Sequence, residues 1–534
     1  MTVNLTAVCG HCRQRVAARH EVRDGKVFLV KQCPRCGGSE ALVSTDAAAW
    51  QHKRDIWGYD PTEPTGCSLH CDTCRIDHTP TIVFVEVTNR CNMSCPICIA
   101  TVQSVGFDYH PPLEYFAKLF VQLGRLKPKP FVELYGGEPT LREDLVEIVR
   151  LARRQGLRPR VVTNAIRLAD EDYCRSLCEA KVPLRISYDG PDPETYQRLR
   201  GDPHVGELKR RALANLRKYN PRKHAMLCCL GLKVNDKHVG DILATCHEYR
   251  DVIEQVGFIP LKEDWQGDGV QPPHHTTQED AERAIREGVV DGRVDFIPAG
   301  FVHWLAPSRR FFTENPRSKN FMFSGSHPNC ESVTFLVSDG TNYRSINHYL
   351  KMPLDRLAEE VFRRARVLND RLARLDPHKF LQRWRGRWLV ARTFVPLMCR
   401  AADLRAVFRG HPFRAAARIL AGAVRGERIW DALRRVTGLP SLLRVGTLPF
   451  EEYLTVESQR LAKCRGVFAY EDARDGSLQS IPVCTWFLYR KEVLRTISEK
   501  YGVARSTRET SPSPAAPSAT RTEPAPTSEH RPQA

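Results

Sequence analysis

No apolar run in the sequence approaches the roughly 20 residues that a membrane-crossing helix needs. The N-terminus, Met1-Thr2-Val3-Asn4, lacks the basic-then-apolar pattern of a secretory signal. Acidic residues are in deficit: 62 Asp and Glu against 80 Lys and Arg leave a formal charge of +18. That balance favours an anionic partner, whether nucleic acid, a phosphorylated substrate or an anionic membrane surface, and says nothing about fold. Without an export signal, the expected compartment is a reducing cytoplasm, with peripheral contact at the inner membrane surface left open. In such a compartment the 19 cysteines are not a disulfide framework, and their spacing is of the metal-binding type. The 534 residues suit two to four domains, and 42% hydrophobic residues suffice for a substantial core.

A further lack carries chemistry. Cys91, Cys95 and Cys98 stand in a C-x3-C-x2-C run with no fourth cysteine. A four-iron cluster normally takes four thiolates, so three leave one iron open to a small molecule. The run 81–87, Thr-Ile-Val-Phe-Val-Glu-Val, reads as a strand. The cysteines therefore lie on a loop at the C-terminal end of a strand, where α/β folds place their chemistry. Zinc, which wants a closed set of four ligands, and three buried free thiols are the competing readings. Three motifs follow, each ending a strand-like run: Tyr135-Gly136-Gly137-Glu138-Pro139-Thr140, Thr163-Asn164 and Ile186-Ser187-Tyr188-Asp189-Gly190.

This set resembles the radical S-adenosylmethionine (SAM) superfamily. The resemblance implies a [4Fe-4S] cluster on Cys91, Cys95 and Cys98, with SAM at the open iron. It implies that Gly136, Gly137, Glu138, Pro139, Asn164 and Ser187 seat SAM, and that electron transfer yields a 5′-deoxyadenosyl radical. A low-potential electron donor is implied as partner. The aromatic residue common before the third cysteine is here Ile97, which weakens a contact to adenine and not the cluster.

Ahead of that motif stand two more cysteine groups. Cys9, Cys12, Cys33 and Cys36 form a C-x2-C…C-x2-C set, with a strand-like run at 26–30 between the pairs. Four sulfurs converge there on one metal, a zinc ribbon or a mononuclear, rubredoxin-like iron site, since S4 coordination suits both. A structural or docking role is favoured over electron transfer. Cys67, Cys71 and Cys74 repeat the C-x3-C-x2-C spacing, too close to Cys91 for another barrel to intervene, and read as auxiliary-cluster ligands. The double motif narrows the resemblance to the tetraether-lipid synthase family of radical SAM enzymes, over about residues 5–490. That family implies late cluster ligands, matched here by Cys330 in His327-Pro328-Asn329-Cys330, by Cys464, and by Cys484. These three are assigned with the 67–74 trio. Two full clusters need eight ligands and six are found. Either one auxiliary cluster is absent, with Arg465 standing where relatives carry a cysteine, or His327, Cys399 or another group completes it.

From 81 to 265 strands and helices alternate. Strands are expected at 81–87, 131–134, 160–162, 184–187, 226–234 and 256–260. Helices are expected at 112–127, 141–152, 170–181, 194–219 and 239–249, with Thr140 and Glu143 as a capping box. The fold class is α/β: a partial (βα)6 TIM-type barrel of the radical SAM type, a small N-terminal metal ribbon, and a mostly helical C-terminal region carrying auxiliary ligands. The domains are 1–50, 51–80, 81–265, 266–500 and a disordered Ser/Thr/Pro/Ala-rich tail at 501–534. Cys174, Cys178, Cys228 and Cys229 are assigned to packing. Residues 381–443 are arginine-rich and apolar, with Trp384, Trp388 and Trp430, the composition of a helix in a membrane interface, a covered core or an RNA-binding face.

The expected function is radical activation of a C–H bond. By resemblance, two lipid alkyl chains are joined through a carbon–carbon bond, with a membrane lipid as substrate. The alternative is radical C-methylation of a pterin-like or other small heterocycle. From another class, a zinc-ribbon nucleic-acid binder is permitted by charge and disfavoured by the cysteine trio and the Gly136-Gly137-Glu138-Pro139 motif. Tyr135 and Tyr188, near the expected pocket, are read as structural.

Overall fold

A computed structural model describes residues 5–502 except 64, 75, 77, 220–221, 263–274, 313–322 and 408–440. The tail, most of the polar loop expected after 265 and the later part of the basic apolar stretch lie outside the described residues.

The first unit is a four-stranded antiparallel sheet in sequence order: β1 (Leu5–Val8), β2 (Arg15–Arg23), β3 (Lys26–Cys33) and β4 (Gly37–Ser44). Asp24 and Gly25 turn β2 into β3, both with positive φ, as a two-residue hairpin requires.

The second unit is the barrel sheet. β5 (Ile82–Thr88), β6 (Phe131–Gly136), β7 (Arg158–Thr163), β8 (Leu184–Ser187), β9 (His224–Leu230) and β10 (Ile253–Pro260) pair in order, all parallel. Each expected strand is present. The helices between them bury one apolar stripe against the sheet, as Leu145, Ile148, Val149 and Ala152 do from helix Leu145–Arg154. Two expectations fail locally. The long helix at 194–219 is broken into Pro193–Arg200 and Val205–Tyr219. Gly201 caps the first piece in the left-handed region, and Pro203 follows it. The capping box at Thr140 and Glu143 does not form. Thr140 gives its N–H and hydroxyl to Glu138 instead, within a single 3-10 turn, and the helix starts at Leu145.

The C-terminal region is helical over Leu354–Leu372, Phe380–Ala401 and Trp486–Lys500, and it also widens the sheet. It supplies β11 (Ile297–Pro298), β12 (Ser332–Ser338), β13 (Tyr343–Ser345), β14 (Leu442–Thr447), β15 (Gly466–Glu471) and β16 (Leu478–Pro482). β14 runs parallel beside β10, and β15 parallel beside β5. The hydrogen-bonded order is β11-β12-β14-β10-β9-β8-β7-β6-β5-β15-β16, with β13 on β12. Among the described residues the sheet is thus twelve-stranded, and its two ends are not paired with each other.

The helix Trp486–Lys500 is fastened to the barrel by a buried charge pair. Glu86 of β5 accepts from Arg490 at 2.6 and 2.8 Å and from the Trp486 indole at 2.8 Å. Both charged side chains are almost fully buried. Removing one partner of such a pair strands the other charge away from water. Arg490→Met is therefore expected to destabilise the fold by about 3–5 kcal/mol. Chemical unfolding measures this; a loss below about 1 kcal/mol, the surface-pair range, would contradict it.

Candidate active site and metal centres

The motifs named from the sequence meet at neighbouring strand ends. Cys91, Cys95 and Cys98 follow β5 and are each half-buried. The Gly137 N–H donates to the Thr88 carbonyl at 2.7 Å and the Glu138 N–H to the Arg90 carbonyl at 2.8 Å. A Cβ on Gly136 would overlap the Thr88 carbonyl oxygen, and one on Gly137 that of Arg90. Gly136 also holds φ at +139°. The glycines let the loop after β6 press onto the backbone that launches the cysteine loop.

Glu138 is 1% exposed. One of its oxygens accepts from the Thr140 N–H (3.0 Å), the Thr140 hydroxyl (2.7 Å) and the Thr163 hydroxyl (2.8 Å). The other accepts from the Asn164 N–H at 2.7 Å. Burial pushes its pKa up, and these four donors act against that. The resemblance cast Glu138 as a SAM contact; its carboxylate is turned to the protein's own donors and positions the loops after β6 and β7. Pro139 opens the short turn behind it. The Asn164 side chain donates to Asn92 Oδ1 at 2.8 Å, beside Cys91. Ser187, ending β8, accepts from Lys209 Nζ at its carbonyl (2.6 Å) and hydroxyl (2.9 Å).

Burial pushes the Cys91 thiol up to about 12 and raises Cys95 as well. Cys95 and Cys98 raise Cys91 further, and Cys98 raises Cys95. Two buried cations that the sequence did not single out lie beside Cys95. Arg200 holds Asp189 through two bonds of 2.8 and 2.9 Å. Burial opposes the charge on Asp189, yet Arg200 keeps its pKa below the ordinary value. Lys209 is fully buried and pushed down to about 8 by that burial. Both cations favour a thiolate at Cys95. The signal available was Asp189 inside its motif, since a buried carboxylate needs a cationic partner. Cys174, Cys178 and Cys228 pack in the core as expected. Cys229 is only half-buried, packs against Leu199, Leu261 and the buried Ile97, and donates its N–H to Asp189 at 3.0 Å.

The two kinds of cysteine group differ in spacing. Among the described residues, only Cys9, Cys12, Cys33 and Cys36 bring all their sulfurs within 4.8 Å of one another. A single ion draws its ligands onto itself, whereas a four-iron cluster sets an iron behind each thiolate and spaces them out. The ribbon thus fits one tetrahedral ion. The Cys91-Cys95-Cys98 loop, with three deprotonable thiols and cations at hand, fits a cluster.

Beyond the effect of burial, Cys71 and Cys74 push the Cys67 thiol up and Cys74 pushes up that of Cys71, whose Sγ lies 3.2 Å from the Thr485 hydroxyl. Cys330 acts on Cys464, and both act on Cys484, which packs against the same buried cluster as Cys67. Arg460 and Glu451 stand among them. Cys399 is exposed on the helix Phe380–Ala401. His327 packs edge-on against Tyr59, and its Nδ1 accepts from the Asn329 N–H at 3.2 Å.

Two outcomes are expected. Glu138→Gln places an NH2 group against donors and should destabilise the barrel by about 1–3 kcal/mol, read in thermal unfolding. An unchanged midpoint would show that the clamp is dispensable. Purified protein should hold one tightly bound ion per chain in the ribbon, and Cys33→Ser should lose it while the iron of the barrel stays. Metal analysis that finds this ion unaffected by Cys33→Ser would refute the assignment.

Comparison with known proteins agrees with this geometry. The radical SAM superfamily profile matches residues 85–246. The HMPTM N-terminal zinc ribbon domain profile matches residues 2–45. A 7,8-dihydro-6-hydroxymethylpterin dimethyltransferase of Methanocaldococcus jannaschii is 31% identical over 265 residues, 48% of this chain and 52% of that protein. The match therefore spans about half the length of that relative. A probable GTP 3′,8-cyclase of the same organism is 27% identical over 227 residues, 40% of this chain and 72% of that protein. The crystal structure of Streptococcus suis SuiB bound to precursor peptide SuiA shares 13% identity, with a TM-score of 0.31, over 52% of this chain and 68% of SuiB. Residues 85–246 are a radical SAM domain, carried behind an N-terminal zinc ribbon.

Proposed function

We propose that the chain is a radical SAM enzyme that breaks an unactivated C–H bond. The observation that carries this reading is the three-thiol loop, tied by Gly137, Glu138 and Asn164 to the adjoining strand ends and backed by Arg200 and Lys209. Cys91, Cys95 and Cys98 would hold a [4Fe-4S] cluster, which when bound would supply the electron for reductive cleavage of SAM. Gly136 and Gly137 keep the loop after β6 against the cysteine loop, and Asn164 and Ser187 offer polar atoms at the next two strand ends. Lys209 and Arg200 balance the charge of the thiolates. The ribbon serves as a zinc-held docking or structural unit, and Cys67, Cys71 and Cys74 as ligands of an auxiliary cluster.

The substrate class we infer is a pterin-like heterocycle that receives a methyl group at carbon. Support comes from the printed activity of the M. jannaschii relative and the matching ribbon type. A second reading, the joining of lipid alkyl chains, draws on a different feature. Helix Phe380–Ala401 exposes Phe380, Leu381, Trp384, Trp388 and Val395 among arginines, as an interfacial helix does. No helix among the described residues is long and apolar enough to cross a membrane.

Anaerobic incubation with SAM and dithionite should yield 5′-deoxyadenosine, and Cys98→Ala should abolish it. Adding a pterin should give a methylated heterocycle; coupled chains from added lipid would favour the second reading. A colourless protein that holds zinc alone and cleaves no SAM would overturn both, in favour of a nucleic-acid binder.

A further inference from the structure

The two faces of the barrel sheet are covered unequally. Val132, Leu134, Val161, Ile186, Met226 and Phe258 are fully buried and share one core with the helices outside the sheet. Side chains alternate along a strand, so the residues next to these face the other way. On that inner side Phe84, Tyr135, Arg185, Leu227, Gln255 and Arg444 are only half-buried. A closed eight-stranded barrel fills its interior with layers of side chains. Here the strands β5 to β10, with β14 beside them, surround a hollow instead.

The hollow is charged at one level and aromatic at the next. Glu133 meets Arg160 at 2.8 Å and Arg185 at 3.6 Å. Arg185 donates to Gln255 Oε1 at 3.2 Å, and one Arg444 nitrogen donates to both Glu331 oxygens at 2.9 Å. Two residues beyond Glu133, at the end of β6 that leads to the glycine pair, stands Tyr135. Its ring packs edge-on against Phe84 and Phe468, and Cys98 and Cys229 are near enough to act on its charge. Other buried tyrosines of the barrel satisfy their hydroxyls within the protein. Tyr109 donates to the Glu86 carbonyl at 3.2 Å, and Tyr188 pairs with the Thr245 hydroxyl at 3.4 Å. Among the described residues the Tyr135 hydroxyl makes no such bond. The polar tip of a buried tyrosine ordinarily finds a partner.

We propose that this hollow is the substrate chamber, that it takes a polar planar ring and turns away an alkyl chain, and that Tyr135 contacts the ring with its O–H as donor. The inference rests on the radical SAM reading and narrows the substrate class within it. An alkyl chain laid against Arg185 and Arg444 would strip water from charged groups and return no hydrogen bond. A heterocycle with ring nitrogens and a carbonyl offers acceptors to Tyr135 and Arg185, and a flat face to the aromatic wall. Burial pushes the Tyr135 phenol well above its ordinary value, so it keeps the proton it donates. Tyr135, expected from the sequence to be structural, thus parts from Tyr188, which is.

The test is equilibrium dialysis of 7,8-dihydro-6-hydroxymethylpterin against the full, anaerobically reconstituted chain, with SAM and without dithionite, so that binding is read apart from radical chemistry. The parent should bind the pterin, and dodecyl glyceryl ether should not displace it. Tyr135→Phe should weaken binding about fivefold, the worth of one hydrogen bond, with an unchanged unfolding midpoint. A merely structural tyrosine would move the midpoint and not the affinity. Leu227→Trp, which fills the hollow, should abolish binding while the ribbon ion remains as a check on folding. Equal affinity in the parent and Tyr135→Phe would overturn the role of Tyr135. A parent that binds no pterin, displacement by the ether, or binding that survives Leu227→Trp would overturn the chamber. A parent that binds the pterin yet forms no 5′-deoxyadenosine once dithionite is added would refute the radical reading and leave the chamber standing.

Discussion

One buried carboxylate holds the centre of this protein together. Glu138 takes four hydrogen bonds, from the turn after β6 and from the end of β7. Its own N–H reaches back to Arg90, next to the first cysteine of the loop. Three adjacent strand ends are fixed relative to one another by these bonds. The glycines before Glu138 make the approach possible, because a side chain there would collide with the backbone of residues 88–90. Geometry of this kind matters for a metal-binding loop. Three thiols on a free loop would each have to be ordered when the cluster forms; on a clamped loop much of that entropy is already spent.

Charge inside the barrel is managed by pairing. Glu133 meets Arg160 at 2.8 Å and Arg185 at 3.6 Å, and Glu86 meets Arg490. Asp189 meets Arg200. Paired charges of this kind are weak evidence for stability, but an unpaired one is expensive. Asp189 neutralises Arg200, so Lys209, which donates only to Ser187, is the cation without a carboxylate of its own near Cys95, and it favours a thiolate there.

Much of this was legible in the sequence, for reasons of distance along the chain. The ribbon and the three-thiol loop are local patterns, and the strands β5 to β10 announce themselves by runs of Val, Ile and Leu between helical stripes. What escaped notice depends on distant partners. β14 and β15 join the sheet from residues 442–471, after the alternation of strands and helices has ended. Arg200 and Lys209 look like ordinary solvated residues of basic helices until Asp189 and Cys95 are seen beside them. Thr140 and Glu143 have the letters of a capping box, yet the stronger acceptor two residues earlier takes the donors. Glu451, followed by Glu452, reads as a surface acid and is buried.

The account rests on an iron that the polypeptide leaves without a ligand so that SAM can take the place. Electron paramagnetic resonance of the reconstituted, dithionite-reduced protein tests this most directly. Addition of SAM should shift the cluster signal, and the shift should vanish in the Cys95→Ala chain. A reduced spectrum indifferent to SAM would contradict the account at its centre.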